Sequence, residues 1–114
     1  MNVSLEGYNE RVATLVASSS VKEGDAVTIS ANNTVDKTGS GTAPCGVCLG
    51  VRDGYATVLF NGYCTVKFSG TAPTTGYVSV GGDGTGKLKV MTSGGRLVTI
   101  VSVDATNKVL SIIL

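Results

Sequence analysis

The sequence contains no histidine and no tryptophan, and only 2 of its 114 residues are proline. Without histidine, a serine or cysteine nucleophile lacks its usual base, and zinc lacks one of its two commonest ligands. We therefore expect no enzymatic activity, no metal and no cofactor. Charge is also sparse, since 9 basic and 8 acidic residues leave a net charge of +1. This balance provides no basic field for nucleic acid, and we predict no nucleic-acid partner.

Long apolar segments are missing as well. No stretch approaches the roughly 18 apolar residues that a membrane span requires. The first residues also lack the basic and apolar regions of a signal peptide. We therefore expect synthesis in a cytoplasm, no membrane partner and reduced thiols at the three cysteines. A mean hydropathy of +0.28 with so little charge further suggests apolar surface that a partner covers, as in an oligomer or an assembly component.

Two short motifs suggest chemistry but lack its full requirements. Cys45 and Cys48 form a C-x-x-C motif, to which Cys64 could add a third thiolate. In an extended segment Cys45 and Cys48 point to opposite faces, so we interpret all three as buried structural cysteines. A small enzyme or metal protein that uses these thiols is an alternative. The glycine-rich segment 81–87 matches the start of a phosphate-binding loop, but Leu88 replaces the required Ser or Thr, which favours a simple turn.

The acidic residues do not form an evident catalytic pair. Four aspartates lie in segments with turn composition, where a short carboxylate is favoured: Asp25, Asp53, Asp83 and Asp104. A paired-carboxylate site would require the fold to bring two of the scattered acids together.

Glycine is abundant, with 16 residues, and valine, threonine and serine fill much of the remainder. Segment 46–68 has the clearest pattern of alternating apolar residues. It predicts three strands joined at Asp53-Gly54 and Asn61-Gly62, two dipeptides that are typical of hairpin turns. A two-residue turn at Asp53-Gly54 pairs Val51 with Ala56, Leu49 with Val58 and Val47 with Phe60. These pairs would place six apolar side chains on one core face.

The second turn of this stretch is predicted from the same core face. A three-residue loop at 61–63, with a glycine in the left-handed region, keeps Cys64, Val66 and Phe68 on the core side. This loop would make segment 46–68 a three-stranded meander with a bulged second hairpin. Farther along the chain, the apolar run from Leu97 to Val103 is long enough to be a strand buried on both faces.

The sequence as a whole predicts an all-β protein. We expect a small β-barrel or sandwich of about eight or nine short antiparallel strands over residues 21–114. Residues 1–20 differ in composition and end in a serine run, so we interpret them as an extended N-terminal arm.

Several segments together resemble a known family of structural proteins. The segments are NVSLEGYNERVATLVA, GDAVTIS, CGVCLGVRDGYATVLFNGYCTVKFSGTAPTTGYVSV and the closing VLSIIL, and they are distributed along nearly the whole chain, from residue 2 to residue 114. They resemble the small capsid decoration, or cement, proteins of tailed bacteriophages and of prophages in Gram-positive bacteria. The shared motifs are structural and transfer no catalytic residue.

The resemblance implies a structural role on the virion, with synthesis in the bacterial host cytoplasm. The protein would bind the major capsid protein on the outside of the head lattice, at three-fold or quasi-three-fold positions, and would reinforce it. It further implies a homo-oligomer, with a trimer favoured. In this role the arm would add a strand to an edge of its partner. The interface would then include Val3, Leu5, Tyr8, Val12 and Leu15.

A second class of function stays open at this point. Tyr55, Tyr63 and Tyr77 could line a groove on a carbohydrate- or cell-surface-binding module without catalysis. The absence of tryptophan makes this platform weaker than those of typical sugar-binding sites.

Overall fold

The computed structural model describes residues 10–114 and shows ten β-strands in two sheets. In chain order the strands are β1 (Arg11–Ala17), β2 (Ala26–Ala31), β3 (Thr34–Lys37), β4 (Gly46–Arg52), β5 (Tyr55–Asn61), β6 (Tyr63–Lys67), β7 (Gly76–Gly82), β8 (Leu88–Val90), β9 (Arg96–Asp104) and β10 (Val109–Ile113). The predicted all-β class and small barrel are confirmed. In residues 10–114 there is no helix with the length and hydropathy needed to cross a bilayer.

The first five strands form a closed barrel in the order β1-β3-β2-β4-β5. Four of the five neighbouring pairs are antiparallel, whereas β1 and β3 run parallel, with Val16 opposite Thr34 and Ala17 opposite Val35. Six buried residues fill the interior: Val21, Val27, Val35, Cys48, Ala56 and Val58. The barrel therefore has a small apolar core of its own.

The last five strands form an open antiparallel sheet in the order β6-β10-β9-β7-β8. Its inner face packs against the outside of the barrel in a second, larger core. The barrel contributes Ala26, Val47 and Leu59 to this core, and the sheet contributes Cys64, Val66, Phe68, Val80, Leu88, Val98, Ile100, Leu110 and Ile112.

Where the sheet covers the barrel, barrel strands are buried on both faces. Val47 points to the sheet while its neighbour Cys48 points into the barrel, and both are buried. Val58 and Leu59 repeat this arrangement on β5 with the order reversed. Two adjacent buried residues are thus the local mark of a strand between two cores, because successive side chains point to opposite faces.

Polar and close backbone contacts also join the two units. The partly buried Arg96 of β9 donates from Nη1 to the carbonyl of Cys45 at 2.6 Å and from Nη2 to the carbonyl of Phe60 at 2.8 Å. The loop after β3 rests on the end of β7, where a Cβ atom on Gly82 would lie 2.6 Å from Cγ2 of Thr38. Only glycine permits so close an approach at this position.

Two predictions about the arrangement of strands are corrected. Residues 21–114 contain nine strands, within the predicted eight or nine, but one barrel pair, β1 with β3, is parallel rather than antiparallel. Residues 11–17, which the sequence placed in the arm, form β1 and hydrogen-bond to both β3 and β5. The hairpin signal at Asp53-Gly54 is correct, since Arg52 pairs with Tyr55 and Val51 with Ala56.

The meander prediction is wrong beyond that first turn. Strand β6 pairs with β10 in the other sheet, because β1 already occupies the free edge of β5. Asn61-Gly62 is therefore a connection between the two units, with Gly62 at φ +126°. The predicted burial of Cys64, Val66 and Phe68 is nevertheless confirmed.

Two predicted burial patterns are also wrong. An irregularity between Cys48 and Gly50 shifts the register of β4, so that Val58 faces Cys48 and Leu49 is 42% exposed. In β9, Val98 and Ile100 are buried but Leu97 and Val101 are exposed. Strand β9 is thus covered on one face rather than on both, because no layer packs on the outer side of its sheet within the described residues.

Candidate binding surfaces

The outer face of the open sheet carries an exposed row of mostly apolar side chains. The strand register aligns Tyr63 of β6, Ile113 of β10, Thr99 of β9 and Tyr77 of β7 across four neighbouring strands. Tyr63, Thr99 and Ile113 each alternate with a buried inward neighbour, and Tyr77 precedes the partly buried Val78, which packs against the core, so the row faces outward. Tyr77 is 71% exposed.

Further apolar residues widen this row into a surface, here called the outer sheet face. Leu97 and Val101 lie on the same side of β9 as Thr99 and are 52% and 42% exposed. Along β6 and β10 away from this row, the next pair of facing residues is Thr65 and Ser111, which are polar but uncharged. In this direction charged residues first occur at the following position, where Val109 faces Lys67 on one side and Asp104 on the other. An exposed apolar surface of this kind is typical of a protein–protein contact.

The chain before β1 begins beside this face. A Cβ atom on Gly62 would lie 3.3 Å from Cα of Glu10, which places Glu10 next to the residue that precedes Tyr63. The amide of Leu114 also donates to the carbonyl of Gly62 at 2.9 Å. The start of the described chain, its last residue and one end of the outer sheet face therefore meet in one place.

Two of the five predicted partner-binding residues lie within the described chain. Val12 faces outward from β1 and is 46% exposed, so it is accessible to a partner. Leu15 instead packs against the barrel core. Val3, Leu5 and Tyr8 lie outside the described residues.

The three tyrosines of the alternative sugar-binding groove lie in different places. Tyr63 and Tyr77 belong to the open sheet and stand three strand spacings apart, roughly 14 Å. Tyr55 belongs to the barrel, where it pairs with Arg52 and Val16. The fold thus does not assemble them into one groove.

The cysteines are free thiols within the apolar cores. Cys48 lies in the barrel core, Cys64 lies in the core between barrel and sheet, and Cys45 is half-buried. Burial raises the pKa of all three thiols, that of Cys64 to about 12. High pKa values keep the thiols protonated and poorly nucleophilic. Among the described residues no three His, Cys, Asp or Glu side chains are grouped as a metal site would require.

In the glycine-rich segment 81–87, Gly81 and Gly82 are the last residues of β7, and residues 83–87 form the predicted turn before β8. Asp83 organises it, since its Oδ1 accepts from the amide and hydroxyl of Thr85 and from the amide of Lys87. Burial alone would raise the pKa of Asp83, but hydrogen bonds from Thr85, Ser69 and Lys87 lower it below its ordinary value. Asp104 likewise accepts from the amides of Thr106 and Asn107, and this confirms its predicted role in a turn.

A cleft between the barrel and the open sheet is the second candidate surface. It encloses about 430 Å³ and is here called the lysine cleft, because four lysines line it: Lys22, Lys37, Lys67 and Lys87. Two acidic residues, Glu23 and Asp25, lie among them. The sequence offered no sign of this cleft, since its lysines come from four separate segments that only the fold brings together.

The outer sheet face was missed for a related reason. Its row depends on the pairing of β6 with β10, which are more than 40 residues apart in the chain. The alternating pattern of β9 was the one local signal available.

Compared with protein-family models and with curated proteins, the chain matches none.

Proposed function

We propose that this protein is a structural decoration protein that binds the outer surface of a bacteriophage capsid lattice and stabilises it. The observation that supports the proposal is the outer sheet face, an exposed apolar surface on a rigid β scaffold with two cores. The resemblance of the sequence to capsid decoration proteins supplies the partner, the major capsid protein, and the site of action, the virion.

The geometry suggests how such a protein would attach. Glu10, the first described residue, lies beside one end of the outer sheet face. An extended segment of nine residues reaches roughly 30 Å. The segment and the face can therefore engage one capsid surface together, with Val3, Leu5 and Tyr8 adding apolar contacts and the exposed row supplying the larger area.

The same surfaces fit a trimer around a three-fold position of the lattice. Each copy would direct its outer sheet face toward the capsid or toward a neighbouring copy, and the small net charge would allow close approach. In this role the protein acts through its shape and its burial of apolar area, without catalysis.

The test is co-sedimentation with undecorated heads assembled from the major capsid protein of the same phage genome. We expect the wild-type protein to bind these heads and to raise the temperature at which they disassemble. The double variant Tyr77→Ser with Leu97→Ser should lose at least about tenfold in affinity, because it removes the most exposed apolar side chains of the face.

The matched control is Leu49→Ser, which alters an exposed leucine on the barrel (42% exposed) and should bind heads normally. Removal of residues 1–9 tests the arm separately. Removal of residues 1–16 would be a poor test, because it deletes most of β1 and opens the barrel. Wild-type protein that does not bind heads would overturn the proposal.

A further inference from the structure

The lysine cleft lies between the two structural units and takes its walls from both. The barrel contributes the turn 22–25 and Lys37 of β3. The open sheet contributes Thr65 to Lys67 of β6, Val109 of β10 and the turn 85–87 before β8. Anything bound in the cleft would therefore contact the barrel and the sheet at once.

The cleft gathers positive charge that the chain as a whole does not have. Four of the 9 basic residues line it, against two of the 8 acidic ones, so the cleft carries a net charge of +2 in a chain of net charge +1. Like charges that converge in one cleft repel each other, and an anion bound there would relieve this repulsion.

Three of the four ammonium groups have no carboxylate partner among residues 10–114. Asp25 lies 3.9 Å from Nζ of Lys37, and its Oδ2 also accepts from the amide of Lys22 at 2.8 Å, so this acid is already engaged within the protein. Within residues 10–114, no carboxylate lies within 4.0 Å of Nζ of Lys22, Lys67 or Lys87. These three groups are available to a ligand, with Glu23 as the one other acidic group in the cleft.

The lining also restricts the chemistry of the ligand. Among the described residues, no aromatic side chain lines the cleft, and the apolar residues that line it are Val66 and Val109. A nucleobase or a sugar ring would find no surface for stacking. The volume of about 430 Å³ is that of a small-molecule site. A small, strongly hydrophilic anion fits both the size and the lining.

We propose that the lysine cleft binds a small multivalent anion that carries two or more phosphate or carboxylate groups. Lysine ammonium groups are flexible point charges that suit such oxyanions. Since lysines of both units contact the ligand, binding joins the barrel to the sheet and stabilises the folded protein. This inference is independent of the proposed capsid function.

The experiment is calorimetric titration of the full chain with pyrophosphate and, separately, with citrate at constant ionic strength. We expect binding of one anion per chain, and the tighter of the two ligands identifies phosphate or carboxylate as the preferred group. Amide resonances of Lys67 and Gly86 should shift on binding, whereas those of Tyr77 and Asn107, outside the cleft, should not. Sodium chloride at matched ionic strength should reproduce neither effect.

The double variant Lys67→Gln with Lys87→Gln should lose at least about tenfold in affinity, because two unpaired charges are removed. Both side chains are exposed, so the variant should fold, and its circular dichroism spectrum checks this. Lys89→Gln is the matched control, because Lys89 lies outside the cleft and donates to Ser40. Failure of both anions to bind, or equal affinity of the double variant, would overturn the proposal.

Discussion

The barrel and the open sheet contain five strands each, but they bury them in different ways. The barrel closes on itself around a core of small residues, and one of its sides is covered again by the sheet. The open sheet has one covered face and one exposed face, on which Tyr77 and Leu97 are more than half exposed. The two units therefore differ in how they are covered: the barrel is closed and its exposed apolar residues surround it, whereas the sheet leaves one whole face uncovered within the described residues.

This difference also indicates which contacts contribute most to the free energy of unfolding. The larger core lies at the contact between the units, where Leu59 of the barrel is 2% exposed. We therefore expect stability to depend most on the contact between barrel and sheet, and least on the outer sheet face. The following predictions test that ranking, from the largest effect to the smallest.

The largest effect is expected from Leu59→Ala. The substitution leaves a cavity between barrel and sheet and should lower the free energy of unfolding by about 3 kcal/mol. Leu97→Ala, on the exposed face of β9, is the matched control and should cost less than about 0.5 kcal/mol. Guanidinium denaturation of both variants measures the difference. Equal losses would show that the contact between the units is not the principal source of stability.

A smaller loss of stability is expected from Arg96→Ala. The guanidinium donates two charge-assisted hydrogen bonds to barrel carbonyls, and its removal leaves the partly buried acceptors at Cys45 and Phe60 without this donor. We expect a loss of about 2 kcal/mol in urea denaturation. The control is Arg52→Ala, which changes an exposed arginine on β4 and should have almost no effect. If both variants behave alike, Arg96 does not hold the units together.

Thr38→Val should increase stability. Thr38 is fully buried where the loop after β3 meets β7, and its hydroxyl has no hydrogen-bond partner within the described protein. Valine has nearly the same shape without the polar group, so we expect a gain of about 1 kcal/mol. Thermal unfolding measures the gain, with Thr99→Val on the outer sheet face as a comparison that removes no buried hydroxyl. A loss of stability in Thr38→Val would mean that the hydroxyl is satisfied in solution.

The smallest effect concerns Asp36 in the barrel and acid pH. Hydrogen bonds from the hydroxyls of Ser18 and Ser20 and from the amide of Lys37 hold the pKa of Asp36 below its ordinary value of 3.8. The unfolded chain therefore binds this proton more tightly, so the stabilisation is present above pH 3.8 and is lost as the pH falls through the lower, folded pKa. The contribution should stay below about 1 kcal/mol, because the carboxylate is partly exposed and screened.

Denaturant midpoints measured between about pH 5 and pH 2 give the acid dependence. In the Asp36→Asn variant, the denaturant midpoint should depend slightly less on pH. An unchanged slope in Asp36→Asn would exclude this contribution.

Local signals in the sequence predicted the fold class and several details correctly. Turn chemistry identified the Asp53-Gly54 hairpin, and alternation identified Cys64, Val66 and Phe68 as core residues. Pairings between distant segments were not predictable, because nothing near Asn61-Gly62 reveals that β1 already occupies the edge of β5. Strand β9 shows the same limit, since an apolar run does not indicate whether a second layer covers it.

The candidate surfaces were less predictable than the fold. The proposed interface residues in 1–20 were chosen as if that segment lay wholly outside the domain, yet Leu15 packs against the barrel core. The lysines of the cleft are spread over 66 positions, from Lys22 to Lys87, and no spacing rule connects them. Surfaces of this kind depend on the three-dimensional arrangement of the strands, whereas hairpins depend on adjacent residues.

The parallel contact between β1 and β3 follows from the odd number of strands in the barrel. Around a closed ring of strands, each antiparallel contact reverses the chain direction, and an odd number of strands cannot alternate all the way round. A five-membered ring must therefore contain at least one parallel neighbour pair. Here that pair has only two register positions, as has β2 with β4, against six for β1 with β5. Of these two short contacts, β2 with β4 is covered by the open sheet through Ala26 and Val47. We expect the ring to open first at the contact of β1 with β3, which would expose the edge of β3 and leave β1 attached to β5.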